Sequence, residues 1–141
     1  MVILDRNLSI KKSLNIFKVK NNRKILIYTS SYNKKKIKLL KDNKIKVIIM
    51  REMNLREDYI KLFKSLMKKN YSRVFVESGL TFTNFLIKER LIDNIYIFKT
   101  INNLRNNGYN NSSNKLLKKI KLKNKLKVNL DEDKVYFERL K

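Results

Sequence analysis

Short apolar runs alternate with helically spaced apolar residues along most of the chain. Residues 1–4 (MVIL), 24–29 (KILIYT), 45–50 (IKVIIM), 74–77 (VFVE) and 94–99 (NIYIFK) are such runs. Each is bounded by polar or turn-forming residues and reads as a strand. Between them, residues 33–42 read as a short basic helix with Ile37 and Leu40 inward and Ser30 or Ser31 as its cap. Tyr59, Leu62, Phe63, Leu66 and Met67 follow the i, i+3, i+4, i+7, i+8 spacing of one apolar stripe, which predicts a helix over 56–70. Asn54 is its expected N-cap, Glu57 and Asp58 suit the first turn, and Asn70 is its stop. After Ser78 and Gly79 the spacing turns helical again, with Leu80, Phe82, Phe85, Leu86 and Leu91, and that helix is expected to end near Arg90.

The remaining stretches are less regular. Residues 8–20 carry scattered apolar side chains and read as a loop closed by a turn at Asn21 and Asn22. Residues 100–111 form a polar, Asn-rich loop around Gly108. Ser112 or Ser113 is placed to cap a short helix through Leu116, Leu117 and Ile120. Residues 122–130 and 134–140 alternate, with Asp131, Glu132 and Asp133 turning a hairpin between them. No internal repeat and no Pro- or Gly-rich linker is visible. Strands alternating with helices predict an α/β fold, a mostly parallel sheet with helices on both faces and a C-terminal antiparallel hairpin. At 141 residues the length is that of one domain.

In such a sheet, ligands bind at the carboxyl ends of strands. The stretch from Arg73 to Leu86 is therefore the centre of interest. An expected buried strand ends in Glu77, Ser78 and Gly79 break it, and a helix begins at Leu80. Helix-start N–H groups carry partial positive charge, and a glycine lets a ligand approach the backbone, so this is a seat for a phosphate or pyrophosphate. The plain alternative is that Gly79 makes a tight turn and the Glu77 carboxylate caps the helix.

Composition narrows the chemistry. His and Cys are absent, which excludes disulfides, zinc sites of the usual kind and histidine general bases. The net charge is +23, which by itself suggests nucleic acid or an anionic surface. However, Pro, Ala, Gln and Trp are also absent while Lys, Asn and Ile abound, the bias that an A/T-rich genome produces without selection for a partner. The lysines are spread along the chain, and no basic stretch is interleaved with aromatic residues as a stacking platform would be. A solvated lysine surface is therefore expected, with nucleic acid a rival partner only. Lysines interrupt every apolar run well short of the roughly 18 residues of a membrane span. Asp5 and Arg6 fall where a signal peptide would be apolar, so a cytoplasmic protein is expected.

Two motifs resemble a known family. Val76, Glu77, Ser78, Gly79, Leu80, Thr81 and Phe82, followed by Leu86, Leu91, Ile92 and Asp93, are similar to the V-E-G/A-G-x-T-L … L-x-x-x-L-V-D-E segment of the reductase domain of bifunctional riboflavin-biosynthesis deaminase/reductase proteins. Val2 to Ile10 (VILDRNLSI) resembles that family's V-V-L-D-x-x-L-R-I-P strand and loop. Gly108, after the 94–99 strand, is a weaker third match. Ser78 stands where Gly or Ala is usual, and Lys11 replaces the usual Pro.

The resemblance implies a three-layer, dihydrofolate-reductase-like fold. It implies reduction of the ribosyl group of 5-amino-6-(5-phosphoribosylamino)uracil to ribityl, with NADPH as cofactor. By matching position, Glu77 would contact substrate. Gly79, Leu80, Thr81, Phe82 and Thr83 would form the pyrophosphate-binding turn, with Arg6 pairing to a phosphate and Tyr28 and Thr29 on the adenosine side. It covers essentially the whole chain as one partial reductase domain, 1–141, without the deaminase and the first reductase strands. A homodimer, or a complex with a separate deaminase or N-terminal part, is the expected assembly. An inactive reductase remnant serving as a structural subunit and a basic nucleic-acid-binding protein are the rival readings.

Overall fold

The computed structural model of the protein describes residues 1–11, 13–15, 24–100, 115–128, 130 and 132–141. The turn at Asn21 and Asn22, most of the 100–111 loop with Gly108, the Ser112 or Ser113 cap, and Asp131 of the hairpin turn lie outside the described residues. The chain forms two compact units, Met1–Lys69 and Asn70–Lys141.

The N-terminal unit is built on a parallel sheet of β1 (Val2–Leu4), β2 (Leu26–Thr29) and β3 (Lys46–Ile49), in that order. Ile27 pairs with Ile3 on one side and Val47 on the other. All four residues of β2 are buried, because the strand is central and covered on both faces. On one face Ile25 and Ile27 meet Leu8, Ile45, and Ile37 and Leu40 of helix α1 (Lys34–Asp42). On the other, Leu26 and Tyr28 meet Met53, and Leu62 and Leu66 of helix α2 (Arg56–Met67). The continuous apolar run of β2 is thus explained by a helix on each side. Fully burying one such leucine stabilises by about 1.5–3 kcal/mol.

The helix ends differ from expectation in detail. Asn33, not Ser30 or Ser31, caps α1: its side-chain oxygen accepts from the Lys36 N–H at 3.0 Å, while the Ser31 hydroxyl accepts from the Asn33 N–H at 3.3 Å. Asn54 does not cap α2, because its side-chain oxygen accepts from Arg6. The Asp58 carboxylate instead reaches back to the N–H groups of Asn54 and Leu55, at 3.2 and 3.1 Å. Met67, the last helical residue, is 63 % exposed, while Leu66 beside it stays in the core. Asn70 adopts φ 66°, the left-handed conformation that asparagine tolerates, and stops the helix as expected.

The C-terminal unit holds helix α3 (Leu80–Lys88), the single turn α4 (Lys115–Lys118), and an antiparallel sheet. Strand β4 (Asn94–Lys99) pairs with β6 (Lys134–Arg139), which pairs in turn with β5 (Lys125–Leu126), so β6 is central. The C-terminal hairpin is therefore present, but its first strand is far shorter than the alternation over 122–130 suggests. The Glu138 side chain anchors β5 there. It accepts from the N–H groups of Lys123 and Asn124 and from the Asn124 side chain.

The expected buried strand at 74–77 is overturned. Residues 74–77 belong to neither sheet, and Phe75 is 76 % exposed. An apolar run stabilises a strand only where a neighbouring backbone pairs with it and side chains cover it. The parallel and antiparallel sheets are likewise separate, so the mostly parallel single sheet is observed only as the three strands of the N-terminal unit.

Candidate functional site

The carboxyl ends of β1 and β2 gather polar groups. Asp5 directly follows β1, and its carboxylate accepts from the Ser9 N–H at 2.9 Å, the Ser9 hydroxyl at 3.1 Å and the Ile10 N–H at 2.7 Å. These bonds fold the following residues into a tight loop, in which Leu8 takes φ 53° and is buried. The aspartate of the VILDRNLSI motif thus shapes the loop that carries Arg6. The Arg6 carbonyl accepts from the Thr29 hydroxyl at 3.1 Å and the Ser30 N–H at 3.0 Å, locking the two strand ends together. Its exposed side chain donates to Asn54.

Tyr28 and Thr29, at the end of β2, are both buried. Tyr28 is 1 % exposed with its hydroxyl 3.1 Å from that of Ser65, and Thr29 is fully buried. Both serve the core, because β2 is covered on both faces. Nearby, burial raises the Tyr59 pKa; the Asp58 charge raises it further and Arg6 opposes. The Tyr59 hydroxyl donates to the Met53 carbonyl at 3.0 Å. Ser30, expected as a helix cap, instead has its hydroxyl oxygen buried without a hydrogen-bond partner. A run of small hydroxyl residues, Thr29 to Ser31, at a strand's carboxyl end was the available signal.

The second place is the start of α3, in the C-terminal unit. Glu77 is exposed in the extended stretch before it. Gly79 is the N-cap residue at φ −71° and ψ 166°, a conformation open to any residue, and a Cβ there would meet nothing within 4 Å. The fold therefore does not require glycine at this position, and the tight-turn alternative loses its reason. Gly79 offers the helix no side-chain cap, and the first turn has no acidic residue. The helix start thus keeps its partial positive charge. Thr81 is exposed, and Leu80 and Phe82 are half-buried. Thr83 is committed internally: its hydroxyl donates to the Gly79 carbonyl at 3.1 Å and lies 3.0 Å from that of Ser78. With the Thr83 proton on Gly79, Ser78 is the donor of that second bond, which draws its side chain toward the helix. Leu86 is the helix's one fully buried residue, and Phe82 stacks on Phe85 at 6.1 Å. Residues 79–83 are thus brought into one helix start, whereas Arg6 belongs to the N-terminal unit.

Among the described residues, no helix is long and apolar enough to cross a membrane. No curated protein matches the chain. Residues 1–100 match the family model of the RibD C-terminal domain, a span that includes both the VILDRNLSI loop and the Gly79 helix start. With most of its length matched, the chain belongs to the RibD C-terminal domain family, the reductases of riboflavin biosynthesis.

Proposed function

We propose that the protein is an NADPH-dependent reductase that converts the ribosyl group of 5-amino-6-(5-phosphoribosylamino)uracil to ribityl, in a dihydrofolate-reductase-like arrangement of layers. The observation that carries this reading is Gly79. It is a glycine that neither backbone conformation nor packing demands, at an uncapped helix start without acids. Close approach of an anionic ligand is what its missing side chain would serve.

Bound NADPH supplies the hydride, and the protein supplies position and electrostatics. The N–H groups of Leu80, Thr81 and Phe82 and the Thr81 hydroxyl would hold the pyrophosphate over Gly79. Thr83 would join them only by giving up its bond to the Gly79 carbonyl. Arg6 would pair with a phosphate by exchanging Asn54 for it. Glu77 would accept from an amino group, ring N–H or ribityl hydroxyl of the substrate. The protein would work as a homodimer or with a separate deaminase-bearing polypeptide.

The test is Gly79→Asp, because structure and function then move in opposite directions. Aspartate is a better N-cap than glycine, so stability should hold or rise slightly. Its carboxylate would occupy the anion seat, so NADPH affinity should fall by at least about tenfold. Nucleotide fluorescence during titration reads the affinity. A wild-type chain that gives no saturable change with NADPH sinks the proposal.

One observation favours a second reading, a folded but inactive subunit: residues 74–77, which lead into the Gly79 turn, lie in neither sheet. A stable chain that never binds NADPH would support it.

A further inference from the structure

We infer that the hydroxyl groups of Ser78 and Thr83 form a positioning pair, which sets the helix start at Gly79 for an anionic ligand. The pair deepens the reductase reading, on which the identity of that ligand rests, by two residues that act without touching it. Ser78 stands where Gly or Ala is usual in the family, and neither of those has a hydroxyl to offer, so the pair belongs to this chain.

Helix starts are commonly fixed in two ways. An N-cap side chain accepts an N–H of the first turn, and an apolar residue just before the cap packs on the fourth helical residue, which sets the angle of entry. Helix α3 uses neither. Its N-cap is Gly79, the residue before the cap is Ser78, and the fourth helical residue is Thr83. Glycine also has the most backbone freedom to lose on ordering, so this start needs a restraint from elsewhere.

Hydrogen bonds supply it between the same two positions. The Thr83 N–H and the Thr83 hydroxyl both donate to the Gly79 carbonyl, each at 3.1 Å. With that proton spent, the Ser78 hydroxyl donates to the Thr83 oxygen at 3.0 Å. The Gly79 carbonyl is thus held by two donors, and the incoming chain is tied to the residue that holds it. A Ser, Asp or Asn cap would instead accept from the N–H of Thr81 or Phe82, the groups that an anion needs. The Ser78–Thr83 pair spends no N–H of residues 80–82 and sets no negative charge beside them. It restrains the turn as a cap would without filling the anion's place.

Ser78→Ala, Thr83→Val and the double variant test the pair, with Thr83→Ser as the variant that keeps the hydroxyl. Alanine is usual in the family at the first position, and valine keeps the shape of threonine at the second. The fold should therefore persist, as circular dichroism would verify. NADPH titration gives the affinity, and NMR relaxation of the Gly79, Leu80 and Thr81 amides without ligand gives the order of the turn. Each single variant should bind NADPH about two- to fivefold more weakly and lower the amide order parameters. The double variant should be no weaker than either single one, because both substitutions break one unit, and Thr83→Ser should bind as the wild type does. A direct phosphate contact by Thr83 predicts that Thr83→Val weakens binding while Ser78→Ala does not, and that result overturns the pair. So does a loss of stability in the variants with wild-type affinity and amide order, the outcome of a merely structural bond. Inorganic pyrophosphate, followed by the shifts of the same amides, repeats the comparison without the nucleotide. The pair is thereby judged even where NADPH binding, and with it the reductase reading, fails. Amides that shift with neither ligand overturn the pair's role.

Discussion

The two units solve the same problem with unequal success. In the N-terminal unit, β2 is covered by α1 on one face and α2 on the other, and its apolar side chains are sealed in two layers. In the C-terminal unit, the sheet is regular, yet among its described residues Leu86 and Val135 are the only buried apolar side chains. Tyr96, Phe98 and Phe75 stay exposed. Backbone pairing alone therefore does not make a core. A strand is buried when its neighbours bring a second layer, and among the described residues β4 has a ladder on one side and little cover.

The largest expected effect tests the closed half of that contrast. Leu66 is 1 % exposed and packs with Tyr28 and Met53 under α2. Leu66→Ala should cost about 2–5 kcal/mol, since the strands and helix around it can collapse only partly into the cavity. Urea denaturation followed by circular dichroism measures it. A cost under about 1 kcal/mol would mean that this core is as loosely packed as the C-terminal unit.

A smaller effect should appear in the C-terminal unit on acidification. Backbone hydrogen bonding by Asn124, reinforced by Lys123 and the Asn124 side chain, holds the Glu138 pKa below its ordinary value of 4.5. The folded state therefore binds this proton less readily than the unfolded chain. The stabilisation is complete above the ordinary value and is lost as pH falls through the lowered one. Thermal melting recorded from about pH 6 downward should show a declining midpoint that Glu138→Gln makes flatter. An identical slope in the variant would remove Glu138 as the anchor of β5.

Smaller again is the cap of α1. Asn33→Ala should cost about 1 kcal/mol, and Ser30→Ala should cost nothing or gain slightly, because the Ser30 hydroxyl is buried without a partner. Equal losses from both would return the cap to the serines.

Much of the N-terminal unit was legible in the sequence. The strands at β1, β2 and β3, the inward Ile37 and Leu40, and the stripe of Tyr59, Leu62 and Leu66 are local patterns with one sensible packing. The caps were not, because Asn33 competes with Ser30 and Ser31 for one role and only geometry chooses. Residues 74–77 were misread for a deeper reason. An apolar run states a preference for burial, but whether a neighbour satisfies it depends on distant segments. At the candidate site, Gly79 as a helix start was readable from Ser78 and Gly79 before an apolar period. That glycine is conformationally unnecessary could be learned only from φ and the empty space at its Cβ. Nor could spacing show that Thr83 spends its hydroxyl proton on Gly79.

The smallest expected effect bears hardest on the contrast. Phe75 is 76 % exposed, so Phe75→Ser should change stability by no more than about 0.5 kcal/mol in the isolated chain. The sequence pattern alone, a valine on either side in a buried strand, predicts a loss of about 3–5 kcal/mol instead. The two expectations differ by far more than the error of a denaturation curve. A near-zero value leaves residues 74–77 as exposed surface of the isolated chain. A large loss would place Phe75 in a core that the isolated chain forms by itself. The C-terminal unit would then be as closed as the N-terminal one.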